Sequence, residues 1–399
     1  MSANPKAART ASTGWIDPFT PGEIQRLVAK FGSPLLVLDC ERVRSQYRRL
    51  AAALPGVDLH YALKPLPAPP VVEALRELGA WFDLATSGEI DVVRGLGIAP
   101  GRCIHTHPIK RERDIRDALD FGVSTFVADN PDEIRKFAKF RERTSLLVRV
   151  SFRSPDAIVD LSRKFGCEAE AVPVLLKLAR DLDVRVRGLS FHVGSQAADP
   201  AKYVEAIRVC RELLASATAA GLGKFDTLDI GGGFPVDYLE PVMPIEEFCV
   251  PIRQELGQLP KDLRVIAEPG RYIVATAGIG VASVMGRAER EGRCWYYLDD
   301  GLYGNFSGQL YEHAHYRIET LRKGALRPAV LAGPTCDSID VINDALELPE
   351  LEIGDVLYGK SMGAYTWASA TDFNFFPKPR VVSVNLMPGD GGSLVEFNR

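Results

Sequence analysis

Eight short β-rich runs, each leading into a stretch with helical spacing, constrain this 399-residue chain more than any other feature. The runs are DLHYALK (58–64), AWFDLAT (80–86), RCIHTHP (102–108), STFVAD (124–129), SLLVRV (145–150), RVRGLSFHVG (185–194), TLDIGGG (227–233) and RVIAEPG (264–270). Between them, segments such as APPVVEALRELG and PDEIRKFAKFRER place apolar residues at i, i+3 and i+4, so strand and helix alternate. Eight such units predict an α/β fold, a closed (β/α)8 TIM barrel with its reactive groups at the carboxyl ends of the strands.

The unusual residues fall at those ends: Lys64, Asp83, His105, His107, Asp129, Arg149, His192, the glycines Gly231, Gly232 and Gly233, then Glu268 and Arg271. A buried barrel strand otherwise reads as Val, Ile and Leu, so a charged or imidazole group at its end needs a partner or a ligand. Singly, each of these residues is equally well a capped or solvated loop residue. Lys64 closes the first run, where burial is expected to lower its pKa and make a nucleophilic, Schiff-base role accessible. The triple glycine and the EPGR turn let backbone N–H groups approach a phosphate after strands seven and eight. The run is neither the dinucleotide pattern nor the Walker pattern, and a triple glycine alone is often a tight turn.

Composition narrows the partners. With 48 basic against 52 acidic residues, the formal charge of −4 offers no field for nucleic acid or an anionic membrane, so a small molecule is the expected ligand. Seven cysteines without CxxC pairs indicate neither a disulfide framework nor a metal site, and point to a reducing, cytoplasmic setting. No run approaches the ~20 apolar residues of a membrane span, and MSANPKAARTASTG (1–14) reads as a disordered tail. After the barrel come short β-rich runs with little helical spacing, which predict a C-terminal all-β domain. SPLLVLDC (33–40) resembles those strands and is expected to pair with them. The expected division is 1–40 for tail and pairing strand, 41–273 for the barrel and 274–399 for the β domain.

In this order, YALK, FDLATSGEI, LSRKFG, SFHVGSQ, LDIGGGFP, AEPGRY, GPTCDSID and GAYT resemble the pyridoxal-phosphate-dependent ornithine/lysine decarboxylases, barrel enzymes of the alanine racemase type. The likeness spans about residues 30 to 380. It implies that Lys64 holds pyridoxal 5'-phosphate and that Glu268 faces the pyridine nitrogen, where a carboxylate favours the protonated, more electron-withdrawing ring. It further implies that His192 stacks on the ring and that Asp83 and Arg149 line the site. The phosphate would be held by Ser195, Gly231, Gly232, Gly233, Gly270, Arg271 and Tyr365. Cys336 matches the proton donor and Asp337 the carboxylate for the substrate's distal ammonium, with Tyr303, Tyr311, Glu312 and Phe373 also at the substrate. In this family Cys336 and Asp337 reach the partner subunit's site, so the resemblance implies a homodimer with shared active sites.

The implied activity is decarboxylation of ornithine or lysine to putrescine or cadaverine. Several positions depart from the family pattern. Glu312 stands where aspartate is usual, which suits either a shorter diamino acid or a guanidinium, and so keeps arginine or a modified diamino acid as an alternative. Pro65 follows the lysine, Thr86 replaces a common serine, and Phe375 stands where glycine is usual, adding bulk near Phe373. A diaminopimelate enzyme fits less well, because the order Cys336, Asp337, Ser338 differs from that branch. A racemase fits less well because Glu268 is not arginine. A non-catalytic regulator of the same fold would usually lose the lysine or the phosphate ligands, and this chain keeps both.

Overall fold

The computed structural model describes residues 17–152, 163–387 and 394–397. The tail expected at 1–14 and the first two residues of LSRKFG lie outside the described residues. The description begins with helix α1 (Pro21–Phe31) and strand β1 (Leu35–Asp39). The barrel follows as β2 (Val57–Ala62), β3 (Trp81–Leu84), β4 (Cys103–His105), β5 (Thr125–Ala128), β6 (Ser145–Val150), β7 (Arg185–Phe191), β8 (Thr227–Asp229) and β9 (Arg264–Ala267). These eight strands close on themselves, β9 pairing parallel with β2. Helices fill the connections, and side-chain caps start several of them; Asn130, for example, accepts from the N–H groups of Asp132 and Glu133 at 3.0 Å.

Strand alternation sorts the barrel residues into two sets. Ile104, Val127, Leu147 and Ile266 form a small apolar plug inside the barrel, while their neighbours along each strand face the helices in the main core. His105, next to Ile104, therefore faces outward, packed on Phe126 with ring centroids 5.7 Å apart. This corrects the expectation that it joins the reactive end. His107 packs edge-on against Phe165, and Asp129 accepts from the Gly166 N–H at 2.8 Å, so both serve the loops around them. The strands also end earlier than the sequence runs. Leu63, Val193 and Ile230 continue the apolar pattern because they are buried in the loops, and Lys64, His192, the three glycines and Glu268 stand just beyond the last ladder residues.

The remaining strands are β10 (Gly278–Arg290), β11 (Arg293–Leu298), β12 (Ile318–Thr320), β13 (Arg327–Ala332), β14 (Val341–Leu348), β15 (Val356–Gly359), β16 (Arg380–Val384) and β17 (Leu394–Phe397). With β1 they make a mixed nine-stranded sheet. Within it β1 lies antiparallel to β10 and parallel to β16. The LLVLD run is apolar throughout because both of its faces are covered: Leu36 and Leu38 enter the barrel core, while Leu35 and Val37 pack with Ile24 and Leu27 of α1. The helix α1, capped by Thr20, was not singled out in the sequence. Arg44, fully buried, ties the barrel to the far end of the chain by donating to the carbonyls of Asn385 and Leu386. No helix among the described residues is long and apolar enough to cross a membrane.

Burial pulls the imidazoles of His60 and His105 down from 6.5 to about 3. An unfolded chain takes up these protons near 6.5 and the folded one does not, so stability is expected to fall steadily as pH drops between those values. Urea unfolding across that range should show the decline, and His105→Leu should flatten it; a slope unchanged in the variant would remove His105 from the account.

Candidate active site at the carboxyl end of the barrel

Lys64 follows β2 and opens onto a cavity of about 250 Å³ lined also by His192, Ser195, Gly232, Gly233, Glu268, Gly270, Arg271, Glu312 and Tyr365. The turn that presents it is built around Pro65, whose carbonyl accepts from the Tyr365 N–H at 3.0 Å. Gly270 makes room for the proline ring, since a Cβ there would lie 2.6 Å from Pro65 Cγ. Lys64 is exposed rather than buried, and its pKa is raised, first by Tyr365 and then by Asp83 and Glu268. The expected lowering is thus reversed, because the amine stands at the open cavity with a phenol and two carboxyl groups beside it.

Those carboxyl groups are Asp83 and Glu268, joined by Asp229. Asp83 is buried and its pKa is pushed well up by that burial and by Glu268, against the Thr106 hydroxyl that donates to it. Arg149 projects toward the same chamber; burial lowers its pKa, while Glu268 and Asp129 support its charge. His192 is held neutral by burial, with Arg149 and Lys64 adding to the effect. Its Nδ1 accepts from the Gly194 N–H at 3.0 Å, which places the ring proton on Nε2.

The glycine run forms a close-fitting cradle. Gly231 and Gly233 adopt φ of 67° and 109°. A Cβ on Gly232 would lie 2.4 Å from the Glu268 carbonyl oxygen, and one on Gly233 would lie 2.2 Å from that of Gly194. Beside the cradle, Arg271 donates to Tyr238 Oη at 2.6 Å, to Ser195 Oγ at 3.1 Å and to the Glu312 carboxylate. Burial works against its charge, but Tyr238, Glu312 and Tyr365 raise its pKa. Its Nε is buried without a hydrogen-bond partner among the described residues. A guanidinium, a serine hydroxyl and glycine backbone suit a phosphate, and an amine with a carboxyl group across the cavity suits an aldehyde-bearing pyridine, so these residues fit pyridoxal phosphate.

The cavity lining does not include Cys336, Asp337, Tyr303, Phe373 or Tyr311. Four of these form a separate cluster on the β domain. The Tyr303 hydroxyl donates to Asp337, which pushes the phenol up to about 12 and holds the carboxyl low. Tyr303 stacks on Phe373 with centroids 4.5 Å apart, and Asn374 Oδ1 accepts from the Cys336 N–H at 2.9 Å. Cys336 is exposed, and Phe375 is 97% exposed at a φ of 61°, where glycine would be unstrained. Tyr311 is also exposed. Sequence reading missed Tyr238, Gln196 and Asp229; the last stands inside LDIGGGFP, where the glycines drew the attention.

Residues 40–275, more than half of the chain, match the pyridoxal binding domain of the pyridoxal-dependent decarboxylases. The lysine/ornithine decarboxylase of Selenomonas ruminantium is 38% identical over 362 residues, covering 90% of this chain and 92% of that one. Among solved structures, the lysine/ornithine decarboxylase of Vibrio vulnificus complexed with putrescine is 52% identical, with a TM-score of 0.88 over 92% of this chain and 98% of that one. The arginine decarboxylase of Paramecium bursaria Chlorella virus bound to agmatine is 31% identical, with a TM-score of 0.86 over 91% of this chain and all of that one. The chain belongs to the pyridoxal-dependent decarboxylases and is a carboxy-lyase that works with pyridoxal phosphate.

Proposed function

We propose that this enzyme removes the α-carboxylate of ornithine, lysine or both, releasing putrescine or cadaverine with carbon dioxide. The observation that carries the reading is the shared cavity of Lys64, Glu268, His192 and the Arg271 cradle. The diamines bound by the Vibrio vulnificus relative support the substrate class. When bound, pyridoxal phosphate supplies a ring that accepts the electron pair left at Cα as carbon dioxide departs.

The residue roles carry over from the family resemblance, and the cavity's lining supports them. Lys64 would hold the cofactor covalently, and Glu268 would keep a proton on the pyridine nitrogen. His192, neutral, would lie against the ring without competing for charge. Gly231, Gly232, Gly233, Gly270, Ser195, Arg271 and Tyr365 bind the phosphate, while Asp83 and Arg149 hold the charge balance around the lysine. Cys336 returns a proton to Cα, and Asp337 and Glu312 receive the distal ammonium beside Tyr303, Tyr311 and Phe373. The barrel over 41–273 and the β domain over 274–399 thus contribute different halves of the site.

Because Cys336 and Asp337 stand on an exposed face with Phe375, Ile339 and Tyr311, the reading includes a homodimer in which each β domain completes its partner's cavity. Seven cysteines spaced without CxxC pairs support a cytoplasmic setting.

Carbon dioxide release from ornithine, lysine and arginine tests the substrate class; turnover of none of them by cofactor-loaded protein would sink it. Glu312→Asp should move the preference toward ornithine by about 10- to 100-fold, the ~1–3 kcal/mol that one methylene decides. Lys64→Ala and Cys336→Ala are each expected to be nearly inactive, Lys64→Ala also failing to retain cofactor after borohydride reduction. Mixing the two inactive dimers should restore turnover through hybrids carrying one intact site, and no recovery from hybrids demonstrated by mass would rule out shared sites.

A further inference from the structure

The chamber beneath the cavity holds more carboxyl groups than the reaction calls for. Strand register brings them together. Asp229 pairs with Ile266 of β9, and Ile266 belongs to the interior plug, so Asp229 and Glu268, two residues after Ile266, both point into the barrel. The loops beyond the strands keep this alignment, with the Glu268 N–H donating to the Gly231 carbonyl at 2.8 Å. Asp229 also pairs with Ser190 of β7, which pairs in turn with Arg149 of β6.

Asp229 is fully buried. Its Oδ1 accepts from the Gly231 N–H at 2.8 Å, while Oδ2 receives no N–H or hydroxyl among the described residues. Its carboxyl lies within hydrogen-bonding reach of Glu268, and two carboxyl groups bond only when one keeps a proton. The groups facing this pair are Lys64, Arg149, Asp83 and the neutral His192. Two cations therefore face three carboxyls. Asp83 has the Thr106 hydroxyl and Lys64 to stabilise its charge, and Asp229 has neither.

We propose that Asp229 is a permanently protonated positioning residue that donates its hydrogen bond to Glu268 and holds that carboxylate toward the cofactor's pyridine nitrogen, so that the ring proton stays on the nitrogen. The proposal rests on the reading that Glu268 faces that nitrogen. Burial and the neighbouring Glu268 both push the Asp229 pKa upward, as the neutral form requires. A neutral acid also relieves the like-charge repulsion that three neighbouring carboxylates would suffer.

The test uses holoenzyme reconstituted with pyridoxal phosphate labelled with 15N in the ring, whose chemical shift reads the protonation of the nitrogen. Asparagine reproduces a neutral acid: it accepts from Gly231 and donates to Glu268. Asp229→Ala is expected to move the ring resonance toward the unprotonated position and to lower kcat about tenfold or more with little change in KM, the loss of one hydrogen bond to a charged group. Asp229→Asn should return the resonance to the protonated position and recover most of the lost turnover. If Asp229→Asn moves the resonance as far as alanine does, an ionised carboxylate is required and the proposal fails. Should the alanine variant not fold, the asparagine resonance decides alone. Glu268→Gln is the control: an unmoved resonance there overturns the Glu268 reading and the proposal with it, whereas a moved one with both Asp229 variants unchanged overturns the proposal alone.

Discussion

Lys64 and Arg149 stand against Asp83, Asp229 and Glu268 at the carboxyl end of the barrel, with Asp83 and Asp229 buried and Lys64 exposed. Charges set this close to buried carboxyls act on one another, and the identity of each group therefore bears on the protonation of the others. The lysine keeps its charge with Tyr365, Asp83 and Glu268 beside it. The histidine loses its charge first to burial, with the two cations adding to the effect. Barrel closure makes this mutual dependence possible: strands contiguous only around a ring bring Asp83 of β3 and Asp229 of β8 to one chamber, although 146 residues separate them in the chain.

The second constraint is that one chain carries two polar clusters in two places. The cavity gathers groups that fit pyridoxal phosphate, and Cys336, Asp337, Tyr303 and Phe373 form a separate cluster on the β domain, which the proposed function assigns to the amino acid substrate. Large apolar side chains left in water beside that cluster, Phe375 above all, are what an interface uses to close over a ligand. The strained backbone at Asn374 and Phe375 sits in the same segment, where Asn374 also fixes the Cys336 backbone.

Much of this was legible in the sequence because the barrel repeats one pattern eight times and puts its polar residues at the end of each repeat. Strand ends were misjudged where loops stay buried, as at Leu63 and Ile230, since burial rather than hydrogen bonding sets the apolar pattern. His105 looked reactive because alternation is ambiguous in a three-residue strand; only its pairing with Phe126 shows which way it faces. The direction of the Lys64 shift was out of reach, because it depends on Tyr365 and Glu268, which lie hundreds of residues further along the chain. Asp229 was hidden by its neighbours: beside three glycines, an aspartate reads as turn chemistry.

The placement of β1 between β10 and β16 bears on how the molecule is made. A ribosome releases β1 before the barrel, yet its strand neighbour β16 comes long after it, and Asp39 accepts from Asn385 across a separation of 346 residues. The barrel can assemble from successive local units during synthesis, while LLVLD, apolar on both faces, waits with both edges unpaired until β10 emerges and with one until β16 does. For that interval the nascent chain carries a sticky edge strand, which makes this segment the natural client of a chaperone and the weak point of any truncated product.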